Sequence, residues 1–161
     1  MILLDLFVIA LIIGVAFLES KRGFGRAVFD LVGALLSAKL AIYLAPKLAG
    51  ALPVGATEQA GEGFWLATLF VIFAVLTVLA SKVIYETTLL SLDVLDSVVG
   101  GVLGIASGIT LAHVFLHTLS VVYANTDFGD ALATTFTAQE FLKFRAYNFV
   151  LDRLYNLGKY E

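Results

Sequence analysis

Cysteine is absent from the 161 residues, and proline occurs only twice, at Pro46 and Pro53. Without cysteine there are no disulfides, zinc–thiolate sites, iron–sulfur clusters or thiol nucleophiles. Charge is scarce: 14% of residues are charged, against about 25% in a soluble domain. Ten Lys plus Arg stand against thirteen Asp plus Glu, a net charge of −3. That gives no basic field for nucleic acid. No nucleophile elbow, P-loop, dinucleotide fingerprint or His-Glu metal motif occurs. No enzyme, no cofactor and no metal site are therefore expected. What abounds is apolar surface, with 60% hydrophobic residues and a mean hydropathy of +0.97. A single soluble domain of this length cannot bury so much, and disorder needs the opposite composition. The chain reads as an integral membrane protein with the lipid bilayer as its solvent.

Four apolar runs have helical length. The first is 2–18, broken only by Asp5, and covers about 26 Å as a helix. Its basic residues follow rather than precede it, as Lys21, Arg22 and Arg26. That is the reverse of a signal peptide, so the run reads as a retained span. The second covers about 27–48, contains Asp30 and Lys39, and is expected to end at Pro46. The third covers about 64–85, opened by Phe64 and Trp65 and closed by Ser81 and Lys82. The fourth covers about 98–123, with Tyr123 as an interfacial aromatic. Runs of this length exclude the ten-residue alternation of a β-barrel.

The connections differ in character. Glu19 to Arg26 is a tight basic turn carrying Gly23 and Gly25. Residues 50–63 form a longer acidic loop. Residues 86–97, with Leu89, Leu92 and Leu95, read as an amphipathic elbow on the membrane surface. After Tyr123 a polar stretch leads to a second helix signal: Thr137 and Glu140 have capping-box spacing. Phe141, Phe144, Tyr147, Leu151 and Leu154 then follow helical periodicity towards Gly158. The expected architecture is all-α. A four-helix transmembrane domain fills 1–123, and a polar linker with an amphipathic C-terminal helix fills 124–161. Basic residues favour the cytoplasmic side, so the first turn is placed there and both termini on the other side.

Several constellations are candidates for function. Gly100, Gly104, Gly108 and Ala112 lie on one face of the fourth helix. Small residues at this spacing let helix backbones approach in lipid, either within the chain or across a homo-oligomer seam. A lone lysine at mid-span costs at least about 2.5 kcal/mol, so Lys39 needs a partner. If the first two spans pack as an antiparallel hairpin, Asp5 faces Lys39. His113 falls near the same depth, so Asp5, Lys39 and His113 form a candidate polar cluster or proton relay. His113 and His117 share a face but lack the neighbouring carboxylate of a metal motif. Arg22, Gly23, Phe24 and Arg26 make a turn that meets anionic headgroups or a cytoplasmic partner. Asp93 and Asp96 are expected to cap the fourth helix.

Two segments carry a family resemblance. One is Lys21-Arg22-Gly23-Phe24-Gly25-Arg26, preceded by an apolar run with Asp5 near its start and followed by Gly33. The other is Leu95-Asp96 followed by Gly100, Gly104 and Gly108. Across roughly residues 1–120 the pattern resembles the colicin V production (CvpA) family of bacterial inner-membrane proteins. Where family members usually carry an arginine after the Leu-Asp pair, this chain has Ser97. The resemblance implies a multi-pass inner-membrane protein linked to toxin production or export and to the envelope. It points to a non-enzymatic scaffold or accessory factor. The alternative is a small oligomeric channel or proton-coupled transporter subunit lined by Asp5, Lys39 and His113. A second copy or another membrane protein is the expected partner.

Overall fold

The computed structural model describes residues 1–88 and 95–144. Among the described residues six helices follow one another: α1 Ile2–Arg22, α2 Phe24–Ala51, α3 Glu58–Thr88, α4 Asp96–Val122, α5 Asp127–Ala133 and α6 Phe136–Lys143. No strand occurs among the described residues. Helices α1 to α4 are long and apolar enough to cross a membrane, and only 11% of the most apolar window of α1 is buried inside the chain. Their outward faces carry large apolar residues such as Ile13, Phe17, Val71 and Leu79, all exposed. Lipid solvates such faces, while helices satisfy their own backbone polar groups. This is an all-α, multi-pass membrane protein.

Sequence neighbours are not always neighbours in space. Helix α1 lies along α4 and α2 lies along α3, while α1 and α2 share little contact. Small residues decide this arrangement. A Cβ added to Gly104 would lie 2.7 Å from the Ala16 Cα, and one on Gly108 2.8 Å from the Ile12 Cα. One on Gly100 would lie 2.7 Å from the Glu19 carbonyl oxygen. Ala112 continues the row against Val8, both fully buried. The glycine row therefore contacts a helix of the same chain. Helix α2 carries its own seam of buried small residues, Ala34, Ala38, Ala41, Ala45 and Ala49. Lipid tails give helices no hydrophobic reason to associate, so close backbone approach and polar bonds set the pairing.

Two element boundaries differ from expectation. Pro46 lies inside α2, which continues to Ala51. Proline deletes one backbone hydrogen bond, but in a membrane a helix through proline is tolerated where neighbours re-satisfy the backbone. The stretch expected to be linker contains α5, capped by Thr126, whose hydroxyl accepts the Gly129 N–H at 3.2 Å. Helix α6 starts one residue before the expected capping box. Its cap is Thr135, which accepts the Ala138 N–H at 3.3 Å, and not Thr137. Phe144 then adopts a left-handed conformation at φ 48° and closes α6. Leu132 of α5 and Ala138 of α6 pack into the core with Val8 and Leu116. The elbow residues Leu89 and Leu92, Asp93, and the helix expected beyond Phe144 lie outside the described residues.

Candidate functional site beneath the basic turn

All four membrane helices are joined by side chains where the basic turn lies. Gly23 separates α1 from α2 with φ 85°, a conformation that glycine adopts without a steric penalty. The turn leaves the first N–H groups of α2 unpaired within their helix. The Asp96 carboxylate, in the first turn of α4, accepts the Phe24 N–H at 3.0 Å. Asp96 thus caps α2, whereas Leu95 at the N-cap of α4 supplies no side-chain cap among the described residues. The reason is packing: Gly100 brings the start of α4 against Gly23, within reach of the turn. Beside this contact Ser20 and Ser97 share a hydrogen bond of 2.8 Å.

Deeper in the bundle sits a cluster of charges. Arg22 Nη1 donates to Glu19 Oε1 at 2.8 Å and to Asp30 Oδ2 at 3.2 Å. Arg26 Nε lies 3.7 Å from the same Asp30 oxygen. The other Asp30 oxygen accepts the Ser81 hydroxyl of α3 at 2.5 Å. Glu19 is 4% and Asp30 9% exposed. Two partly exposed guanidinium groups offset the two buried carboxylates formally, which makes the burial of Glu19 and Asp30 tolerable. Glu19 Oε2 and Ser107 Oγ are buried without a hydrogen-bond partner among the described residues. Both residues line a cavity of about 210 Å³ with Arg22, Asp30 and Thr77. Such a space holds several waters, and polar groups left over in a cavity of this size are the kind that bind water.

The residues expected to form a mid-membrane cluster are distributed differently. Asp5 accepts both the Thr137 N–H, at 3.0 Å, and the Thr137 hydroxyl, at 2.6 Å. No Asp5–Lys39 ion pair forms among the described residues. The expected pairing assumed that α1 packs along α2, and α1 packs along α4 instead. His113 Nδ1 is bonded to the Phe141 carbonyl oxygen at 2.7 Å. A carbonyl only accepts, so Nδ1 carries the proton. Asp5 and His113 therefore hold the two ends of α6. The His113 and His117 rings stack at 5.9 Å. Lys39 and His113 line the same open groove between α2 and α4, which Asp5 does not reach.

Glu19, Ser81 and Ser107 have functional-looking surroundings that sequence reasoning missed. Glu19 and Ser81 stand at span ends, where polar residues are routine. A signal was nevertheless present, because Glu19 and Arg22, and likewise Arg26 and Asp30, have the spacing of helical ion pairs.

The family model described as colicin V production protein matches residues 4–145, a stretch that takes in the charge cluster, both ties to α6 and the glycine row. No curated protein and no solved structure matches the chain. With a match over most of its length, the chain belongs to the colicin V production protein family.

Proposed function

We propose that this protein is a non-enzymatic membrane scaffold or accessory factor that serves toxin production or export and envelope homeostasis in the bacterial inner membrane. One observation carries the reading: the acidic groups Asp5, Asp30 and Asp96 each bond to another helix. In a transporter, intramembrane charges are held available for a substrate or a proton. Here these three carboxylates fasten helices to one another, Asp5 at the α6 end and Asp30 and Asp96 beside the basic turn, which serves in this reading as a rigid mount. The positive-inside tendency puts that end, with Lys21, Arg22 and Arg26, in the cytoplasm. A partner would meet the exposed Lys21 and Leu18 there.

Site-specific photocrosslinking from Leu18 and Lys21 in native membranes tests this. A discrete adduct with another membrane protein is expected, together with no ion or proton flux in proteoliposomes. A second reading, a small oligomeric channel or proton-coupled subunit, draws on Glu19 Oε2 and Ser107 Oγ, which lack a hydrogen-bond partner among the described residues and belong to residues that line one cavity. Flux that disappears in Glu19→Gln would replace the scaffold with that reading.

A further inference from the structure

A groove of about 790 Å³ runs between α2 and α4 and opens outward. Its walls are apolar, with Leu35, Ala38 and Ile109 at the deeper end. Two lysines, Lys39 and Lys47, line the same groove. They stand eight residues apart on α2, about 12 Å along the axis, with Tyr43 midway on the same face. Lys47 lies about 32 Å from Arg26 along α2. This spans the hydrocarbon thickness of a bilayer, so Lys47 reaches the interface opposite the basic turn and Lys39 lies within the acyl region below it. The Lys47 ammonium is drawn back over the Tyr43 ring, 3.7 Å from its centroid, towards Lys39. No carboxylate pairs with either lysine among the described residues, and the groove lining contains none.

We infer that this groove binds one anionic phospholipid of the leaflet opposite the basic turn. Its phosphate enters between the Lys39 and Lys47 ammonium groups, and one acyl chain lies along Leu35, Ala38 and Ile109. The charge argument selects this occupant. A lysine facing hydrocarbon calls for a counter-ion, and a lipid phosphate is the anion that a lipid-open groove admits. Long lysine side chains rise towards headgroups while their stems stay in apolar surroundings. The apolar wall accounts for the rest of the ligand, since pockets of this volume take drug-sized or larger amphiphiles.

The test uses the full chain reconstituted in vesicles of equal phosphatidylglycerol and phosphatidylcholine. The protein is extracted in mild detergent, and retained lipid is counted by native mass spectrometry. Phosphatidylglycerol is expected to be retained about tenfold or more over phosphatidylcholine, in line with two lysine–headgroup attractions. The preference should vanish in the double variant Lys39→Met, Lys47→Met and persist in Lys21→Met at the other end. Ile109→Trp keeps both lysines and fills the acyl slot. It should also lose the lipid, and it carries the test if the double variant does not fold. Equal retention of both lipids by the wild type, or a preference unchanged in the groove variants, would overturn the inference. The counter-ion would then be sought in a second copy, visible as a dimer mass, or in the carboxylates of residues 145–161.

Discussion

The Asp96 carboxylate accepts the Phe24 backbone N–H at 3.0 Å across 72 residues of sequence. One side chain of the last membrane helix thus caps the second, at the turn that leaves the first. Capping interactions of this kind stabilise by about 0.5–2 kcal/mol. Asp96→Ala should lower the thermal unfolding midpoint in a bilayer mimic, and Asp96→Asn should lower it less, because its amide oxygen still accepts. Gly23→Ala should be at least as damaging. Its Cβ would collide with the Asp96 carboxylate, and its φ of 85° disfavours any side chain.

Asp30 is predicted to be the costliest single loss. Removing it leaves Arg22 and Ser81 without this acceptor and Arg26 without its counter-ion. Its arginine partners are partly exposed and Arg22 keeps Glu19, so the cost should stay below the roughly 3–5 kcal/mol typical of breaking a fully buried pair. Ser81→Ala removes one hydrogen bond and should cost about 1–3 kcal/mol. Unfolding in graded denaturing detergent would rank the two, and equal effects would contradict the network.

The α1–α4 contact gives a sharp contrast between glycines. Gly104→Ala places a methyl 2.7 Å from the Ala16 Cα, whereas a methyl on Gly14 meets nothing within 4 Å. Overpacking of this type costs about 1–3 kcal/mol. Gly14→Ala should be neutral or stabilising by up to about 1 kcal/mol, through helix propensity alone. Thermal midpoints of the two variants in the same lipid would check both signs.

Two side chains hold α6, one at each end, and each should be separately releasable. Asp5→Ala frees the Thr137 end, and His113→Ala frees the Phe141 end. Amide hydrogen exchange across 136–143 should accelerate in either variant and accelerate most in the pair. Exchange within α2 and α3 should stay unchanged.

Much of the fold was legible in the residues. The four spans, the basic turn and the glycine row follow from hydropathy and four-residue spacing, which are local properties. The ties between helices were not legible. A hairpin of adjacent spans predicts an Asp5–Lys39 pair. In the structure the close approach at Gly100, Gly104 and Gly108 draws α1 to α4 instead. Asp5 then finds Thr137, 132 residues away, a partner that no periodicity indicates. The buried charge cluster was half legible. Its spacings within α1 and α2 are those of ordinary ion pairs, but the link to Ser81 depends on how α2 meets α3. The alanine seam of α2 is hard to read because alanine in an apolar run looks like lipid-facing filler, and only its recurrence every three or four residues marks it as a contact.

The pairing of α1 with α4 also sets an order of assembly. A chain made from its N-terminus inserts α1 early, yet the glycine face that receives α1 emerges some eighty residues later. Until then α1 lacks the face it packs against, and Glu19 lacks the Asp30 half of its charge cluster until α2 is in place. The last span is therefore the keystone. Its arrival seats α1, lets Asp96 cap α2 and offers His113 to the segment that follows.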